Sequence, residues 1–118
     1  MLNSAICDML KIKYPVFQGG MAHIADAHLA AAVSNSGGLG IISAMNYDAD
    51  YLEKQIDTAF SLTDKPFGVN VMLMSPHTDE VASLLAEKKV SVVTTGAGNP
   101  EKYMDIWKNA GIKVIPVV

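Results

Sequence analysis

Gly19 and Gly20 stand together at the end of an apolar, β-prone run, residues 14–18, and Met21 and Ala22 follow before a new apolar helix begins. The plainest reading of such a pair is a turn in which glycine adopts positive φ without steric cost. The chemical alternative is that backbone without a Cβ can lie flat against a ligand and donate its exposed N–H groups. Asn70 alternates with Val69 and Val71 in "GVNV", so its side chain leaves the face that the valines take. A buried asparagine at a strand end must find hydrogen-bond partners, whether a ligand or a loop it caps. Thr95 and Gly96 lie in "TTGAGNP", which holds only G-x-G. The third glycine of a dinucleotide fingerprint is missing, so the stretch reads as loop-to-helix geometry and pocket lining.

Other chemistry-bearing types point nowhere in particular. His23, His28 and His77 share no metal-ligand spacing and no acidic residue completes a set, so no metal site is expected. Cys7 is the one cysteine, reads as a small buried apolar side chain, and fits a reducing, cytoplasmic setting. The balance of 9 basic against 12 acidic residues, net −3, lacks the footprint of a nucleic-acid binder. No window reaches the run of ~18 apolar residues that a membrane helix needs, so no membrane partner is expected. With half its residues apolar and 18% charged, the chain reads as one globular domain, residues 1–118.

Five apolar runs must position these residues: 14–18, 39–43, 67–71, 90–94 and 113–118. Their valines and isoleucines are nearly continuous, as in parallel strands covered on both faces. Helical spacing fills the intervals. A short helix is expected over 4–11. Asp26 caps "AHLAAAVSNS" with Leu29 and Val33 inward, and Asp48 caps "ADYLEKQIDTAFS" with Leu52, Ile56 and Phe60 inward. Thr78 caps "DEVASLLAEKK" with Val81, Leu84 and Leu85 inward, and Pro100 opens "EKYMDIWKNAG" with Met104 and Trp107 inward. The order is α/β: a short N-terminal helix, then (βα)4β with right-handed crossovers. The strand-to-helix loops "GGMAHIA", "AMNY", "MLMSPH" and "GAGN" differ from the charged helix-to-strand loops, which marks the carboxyl ends of the strands as the candidate active face. Length alone favours a complete, flavodoxin-like doubly wound sheet over half of a (β/α)8 barrel, which needs ~250 residues.

The residues reverse that choice. "YPVFQGGMA", "LAAAVSNSGGLGIIS", "DKPFGVNVML" and "VVTTGAGNPEKYM", followed by "AGIKVIPVV", resemble the N-terminal part of the nitronate monooxygenase / 2-nitropropane dioxygenase family, most closely its FMN-dependent enoyl-acyl-carrier-protein reductase II (FabK-type) branch. The resemblance runs from Leu10 to Val118 and implies the N-terminal half of a TIM (β/α)8 barrel. It also implies FMN at the carboxyl face, NADH or NADPH as co-substrate, and an enoyl-acyl carrier protein or, in the sister branch, an alkyl nitronate as substrate. On it, Gly19, Gly20, Met21 and Ala22 lie against the flavin ring, Asn70 contacts it through its side chain, and Thr95 and Gly96 line the same pocket. Met72 and Met74 read either as lining of an acyl pocket or as core filling. At His23 the sequence departs from its relatives, which carry a large aromatic there. The family's catalytic histidine and phosphate-binding glycine loops follow later strands, so no catalytic residue is carried over and the chain reads as a fragment doubtful as an enzyme alone. Half a barrel leaves unpaired edges at its first and fifth strands and inner side chains with nothing opposite, so a homo-oligomer joined through those edges is expected.

Overall fold

The computed structural model describes residues 4–117. Its elements are α1 (Ala5–Leu10), α2 (Ala27–Asn35), β1 (Gly40–Ser43), α3 (Ala49–Leu62), β2 (Phe67–Met72), α4 (Thr78–Lys88), β3 (Val92–Gly96), α5 (Glu101–Asn109) and β4 (Lys113–Pro116). The four strands are parallel and lie in the order β1-β2-β3-β4. A doubly wound sheet reverses its strand order in the middle, whereas a barrel adds each strand beside the last. This order is that of a barrel segment.

Four strands form where the apolar runs predict five. Residues 14–18 make one isolated bridge, Phe17 to Leu39, in place of a strand. Gln18 N donates to Leu39 O at 3.0 Å, and beyond that point the Gln18 side chain takes over the ladder. Its Nε2 donates to Ile41 O and its Oε1 accepts from Ile41 N, both at 3.0 Å. The primary amide thus satisfies the donor and acceptor that a strand backbone would have satisfied, while the main chain turns away. The run 90–94 also shifts: α4 ends at Lys88 with Lys89 left-handed at φ 54°, Val90 and Ser91 precede the strand, and β3 runs from Val92 to Gly96. Thr95 and Gly96 therefore lie inside the strand. Val118, at the end of the last predicted run, lies outside the described residues.

Both of the predicted aspartate caps form. Asp26 Oδ1 accepts from Leu29 N and Asp48 Oδ1 from Tyr51 N, each at 2.9 Å. Thr78 does not cap α4; its hydroxyl donates to Ser75 O at 2.7 Å and His77 takes the cap position. Helix burial follows close approach more than side-chain size. A Cβ on Gly40 would sit 1.8 Å from Ala30 O, so α2 lies directly on β1 and buries Ala27, Ala30, Ala31 and Ser34. Leu29 and Val33, expected inward, are half-buried. In α3, Ala59 joins Leu52 and Ile56 inside and Phe60 is 49% exposed. Seven residues make nearly two full turns, so 52 and 59 align while 60 overshoots. Trp107 is fully buried and donates from Nε1 to Ala82 O at 3.1 Å, whereas Met104 is half-buried.

The sheet has two different faces. Ile42, Val69, Val71 and Val93 meet the helices in the main core with Leu52, Ile56, Val81, Leu85 and Trp107. On the opposite face Leu39, Ile41 and Val92 are buried with Leu10, and Ile6, Ile12 and Ile115 pack against them. The N-terminal helix thus covers the lower part of the inner face, contrary to the expectation of inner side chains with nothing opposite.

Candidate ring-binding site

Above that apolar layer the inner face turns polar. Ser43, Asn70 and Thr94 are register partners on β1, β2 and β3, one pleat nearer the carboxyl ends than Ile41, Gly68 and Val92. Thr94 Oγ1 donates to Asn70 Oδ1 at 2.8 Å, while the Asn70 amide nitrogen Nδ2 bonds none of the described residues. Two residues further on, Met72 and Gly96 are partners on the same face, with Met72 half-exposed rather than in the core. Met74 follows in the loop, 78% exposed.

The loop after Gln18 comes over this polar layer. A Cβ built on Gly20 would lie 2.6 Å from Asn70 Cβ, whereas one built on Gly19 meets nothing within 4 Å. Neither glycine has positive φ; His23 carries it instead, at 66°. The pair is thus not explained by turn conformation. Gly20 is small because Asn70 stands against it, and Gly19 presents open backbone. Met21, Ala22 and Ile24 are exposed beyond them.

Thr95 is placed apart from the others. It pairs with Val71 and Pro116 on the helix-facing side, is fully buried, and its Oγ1 has no partner among the described residues. Only its backbone can reach the carboxyl face. Gly96 stands at the end of β3 with no atom within 4 Å of where a Cβ would be, and its carbonyl accepts from Leu73 N at 3.0 Å. Sequence reading singled out Thr95 and missed Thr94 and Gln18. A period of two counted from Val90 or from Val92 puts Thr94 on one face and Thr95 on the other; that Thr94 stands beside Asn70 is set by the register of β2 and β3, which a single strand does not reveal.

Strain collects on this face. His23, Met45 and Ala97 hold φ of 66°, 45° and 58° in three of the strand-to-helix loops. Left-handed backbone costs ~1–2 kcal/mol at a non-glycine residue and recurs where loops are shaped for a ligand. The same face is acidic: Asp26, Asp48, Asp50, Asp79, Glu80 and Glu101 sit at or in the first turns of α2 to α5. They complement the helix dipoles, and at α2 and α3 Asp26 and Asp48 also accept from a first-turn N–H. Among the described residues no group of histidine, cysteine and carboxylates could hold a metal ion. His77 instead pairs its Nδ1 with Glu80 Oε1 at 2.6 Å on the surface. No helix among the described residues is long and apolar enough to cross a membrane.

Comparison with known proteins gives the relatives of this fold. The family model for nitronate monooxygenase matches residues 3–94. The structure of FabK from Thermotoga maritima superposes with a TM-score of 0.98 at 48% identity, over 100% of this chain and 38% of that one. Nitroalkane oxidase from Streptomyces ansochromogenes gives a TM-score of 0.88 at 25% identity, over 98% of this chain and 42% of that one. Among curated proteins, a probable nitronate monooxygenase of Staphylococcus aureus is 47% identical over 73 residues, 62% of this chain and 21% of its own length. An octahydro-indene-carboxyl-CoA dehydrogenase of Rhodococcus jostii is 32% identical over 117 residues, 99% of this chain and 33% of its own. The chain thus spans about a third of the length of the curated relative it matches from end to end. The fold is the N-terminal part of a TIM barrel like those of FabK and nitroalkane oxidase.

Proposed function

The chain belongs to the nitronate monooxygenase family, and from that premise we propose that it carries the ring-facing part of the FMN site of an oxidoreductase. The observation that supports this reading most is Asn70, half-exposed on the polar inner layer with its amide NH2 uncommitted, next to the open backbone of Gly19. A flat tricyclic ring can rest on backbone only where no Cβ intrudes, and Gly19 leaves that room. Asn70 Nδ2 would donate to an acceptor on the ring's edge. Met21, Ala22 and Met72 would exclude water around it, and Thr95 and Gly96 would border it through their backbone. Bound FMN would supply hydride-transfer chemistry, which none of these side chains can perform. On the family resemblance the FMN phosphate would be held by glycine loops that follow later strands of the barrel.

The reaction favoured is reduction of an enoyl-acyl-carrier-protein thioester with NADH or NADPH in the cytoplasm, because the FabK similarity spans the whole chain at 48% identity. Oxidation of alkyl nitronates by dioxygen is the second reading, supported by the matching family model. No catalytic residue is assigned in this chain. The test is to incubate the purified protein with excess FMN and desalt it. Retained flavin absorbance near ~450 nm is expected, and colourless protein would remove the proposal. Assay of flavin-loaded protein with NADH and an enoyl thioester, and with an alkyl nitronate in air, then separates the two reactions.

A further inference from the structure

We propose that Thr94 is a positioning residue that turns the Asn70 side-chain amide so that its NH2 faces the open carboxyl end of the sheet. The inference rests on the flavin reading for the identity of the ligand, but its geometry stands on the chain itself.

An asparagine amide has two nearly isosteric orientations, one presenting a donor and the other an acceptor. Gly20 does not make the choice: a Cβ there would meet Asn70 Cβ at 2.6 Å, but no hydrogen bond joins the glycine to the Asn70 amide. The choice falls to Thr94. Its hydroxyl, on a residue only 7% exposed, donates to Asn70 Oδ1 at 2.8 Å and has no other acceptor among the described residues. Turning the amide over would let its NH2 donate to the hydroxyl oxygen, but it would leave the threonine proton without an acceptor in a buried place. That orientation is disfavoured because an unmade buried hydrogen bond costs more than a made one gains. The result is a fixed donor directed at whatever lies above the inner face, selecting a ligand edge that carries a carbonyl or unprotonated ring nitrogen. Valine in place of Thr94 would keep the shape and lose the selection; serine would keep both the hydroxyl and the selection.

The experiment uses the 118-residue chain in five forms: unsubstituted, T94V, T94S, N70A and T94V/N70A. Each is titrated with FMN by quenching of flavin fluorescence, the spectrum of bound flavin is recorded, and the Asn70 side-chain amide resonances are followed by NMR without FMN. T94V is expected to weaken binding about tenfold, the equivalent of one hydrogen bond, and to shift the bound-flavin spectrum. T94S should restore both, and T94V should add nothing to N70A. The Asn70 amide resonances should move in T94V and return in T94S. Binding by T94V equal to that of the unsubstituted chain, or a T94V loss that adds in full to that of N70A, would overturn the proposal. If the unsubstituted chain binds no FMN, the flavin reading fails, and the resonances alone decide. Unmoved in T94V, they overturn the role of Thr94; moved in T94V and restored in T94S, they uphold it for a different acceptor.

Discussion

Gly19 and Gly20 are neighbours of one residue type, yet their surroundings demand opposite outcomes from the same substitution. Gly20→Ala forces a Cβ to within 2.6 Å of Asn70 Cβ, and such overpacking costs about 1–3 kcal/mol, read as a lower urea midpoint. Gly19→Ala meets nothing within 4 Å, so stability should stay within about 0.5 kcal/mol while FMN affinity falls, because the new methyl stands where the ring would rest. Equal destabilisation by both would remove the distinction. Thr95 allows a third residue-scale prediction. Its hydroxyl is fully buried without a partner among the described residues, so Thr95→Val should raise stability by about 1 kcal/mol, measured by urea unfolding. Weaker FMN binding in that variant would return a ligand role to the hydroxyl.

At the scale of elements, one side chain does the work of a strand and one carboxylate joins two helices. Gln18→Leu deletes both bonds to Ile41 and should cost about 1–3 kcal/mol, with faster hydrogen exchange at Ile41 N–H. Unchanged exchange there would show that the edge holds without the amide. Asp79, on α4, accepts from Tyr103 Oη at 2.5 Å and Lys102 Nζ at 2.9 Å, both on α5. These bonds hold the Asp79 carboxyl below its usual range, and they push Tyr103 and Lys102 up. A carboxyl depressed in the folded state stabilises above its unfolded pKa and loses that contribution as pH falls through the folded one. Asp79→Asn should therefore be destabilising at pH 7, by a small amount at this exposed site, and its effect should shrink below about pH 4. A pH-independent difference would argue that packing, not charge, links the helices. Leu52, Ile56, Val81, Leu84, Leu85 and Trp107 are buried as their spacing requires, because the 3.6 period is a local property of the chain. The alanine face of α2 was not legible that way, since it is set by how closely Gly40 lets the helix approach.

For the whole molecule, the inner face governs behaviour. Its lower layer is covered by α1 and its upper layer is polar, so a bare barrel interior is less of a liability than expected from half a barrel. The edges are a different matter. Tyr14, Val16, Ala32, Val33, Ser36 and Gly38 line an open groove of about 360 Å³ beside the residue 14–18 segment. Met104, Val114 and Ile115 line another beside β4, and Ile106 and Val117 are also exposed. Unpaired strand backbone next to apolar surface favours association. The isolated chain is expected to sediment as a dimer or larger species in analytical ultracentrifugation. A monodisperse monomer at tens of micromolar would count against self-association through these edges.

The sequence by itself determined the α/β order, the aspartate caps, the valine-rich strands and the carboxyl face on which the candidate residues lie. These follow from local periodicity, capping chemistry and short motifs, which need no knowledge of neighbours in space. Only the tertiary structure decided that Gln18 replaces a strand and that α1 covers the lower inner face. It also decided that Gly20 is small because of Asn70, and that Thr94 rather than Thr95 shares Asn70's face. Each of these is set by contact between segments far apart in the chain, where a shift of one residue in strand register moves a side chain from one face of the sheet to the other.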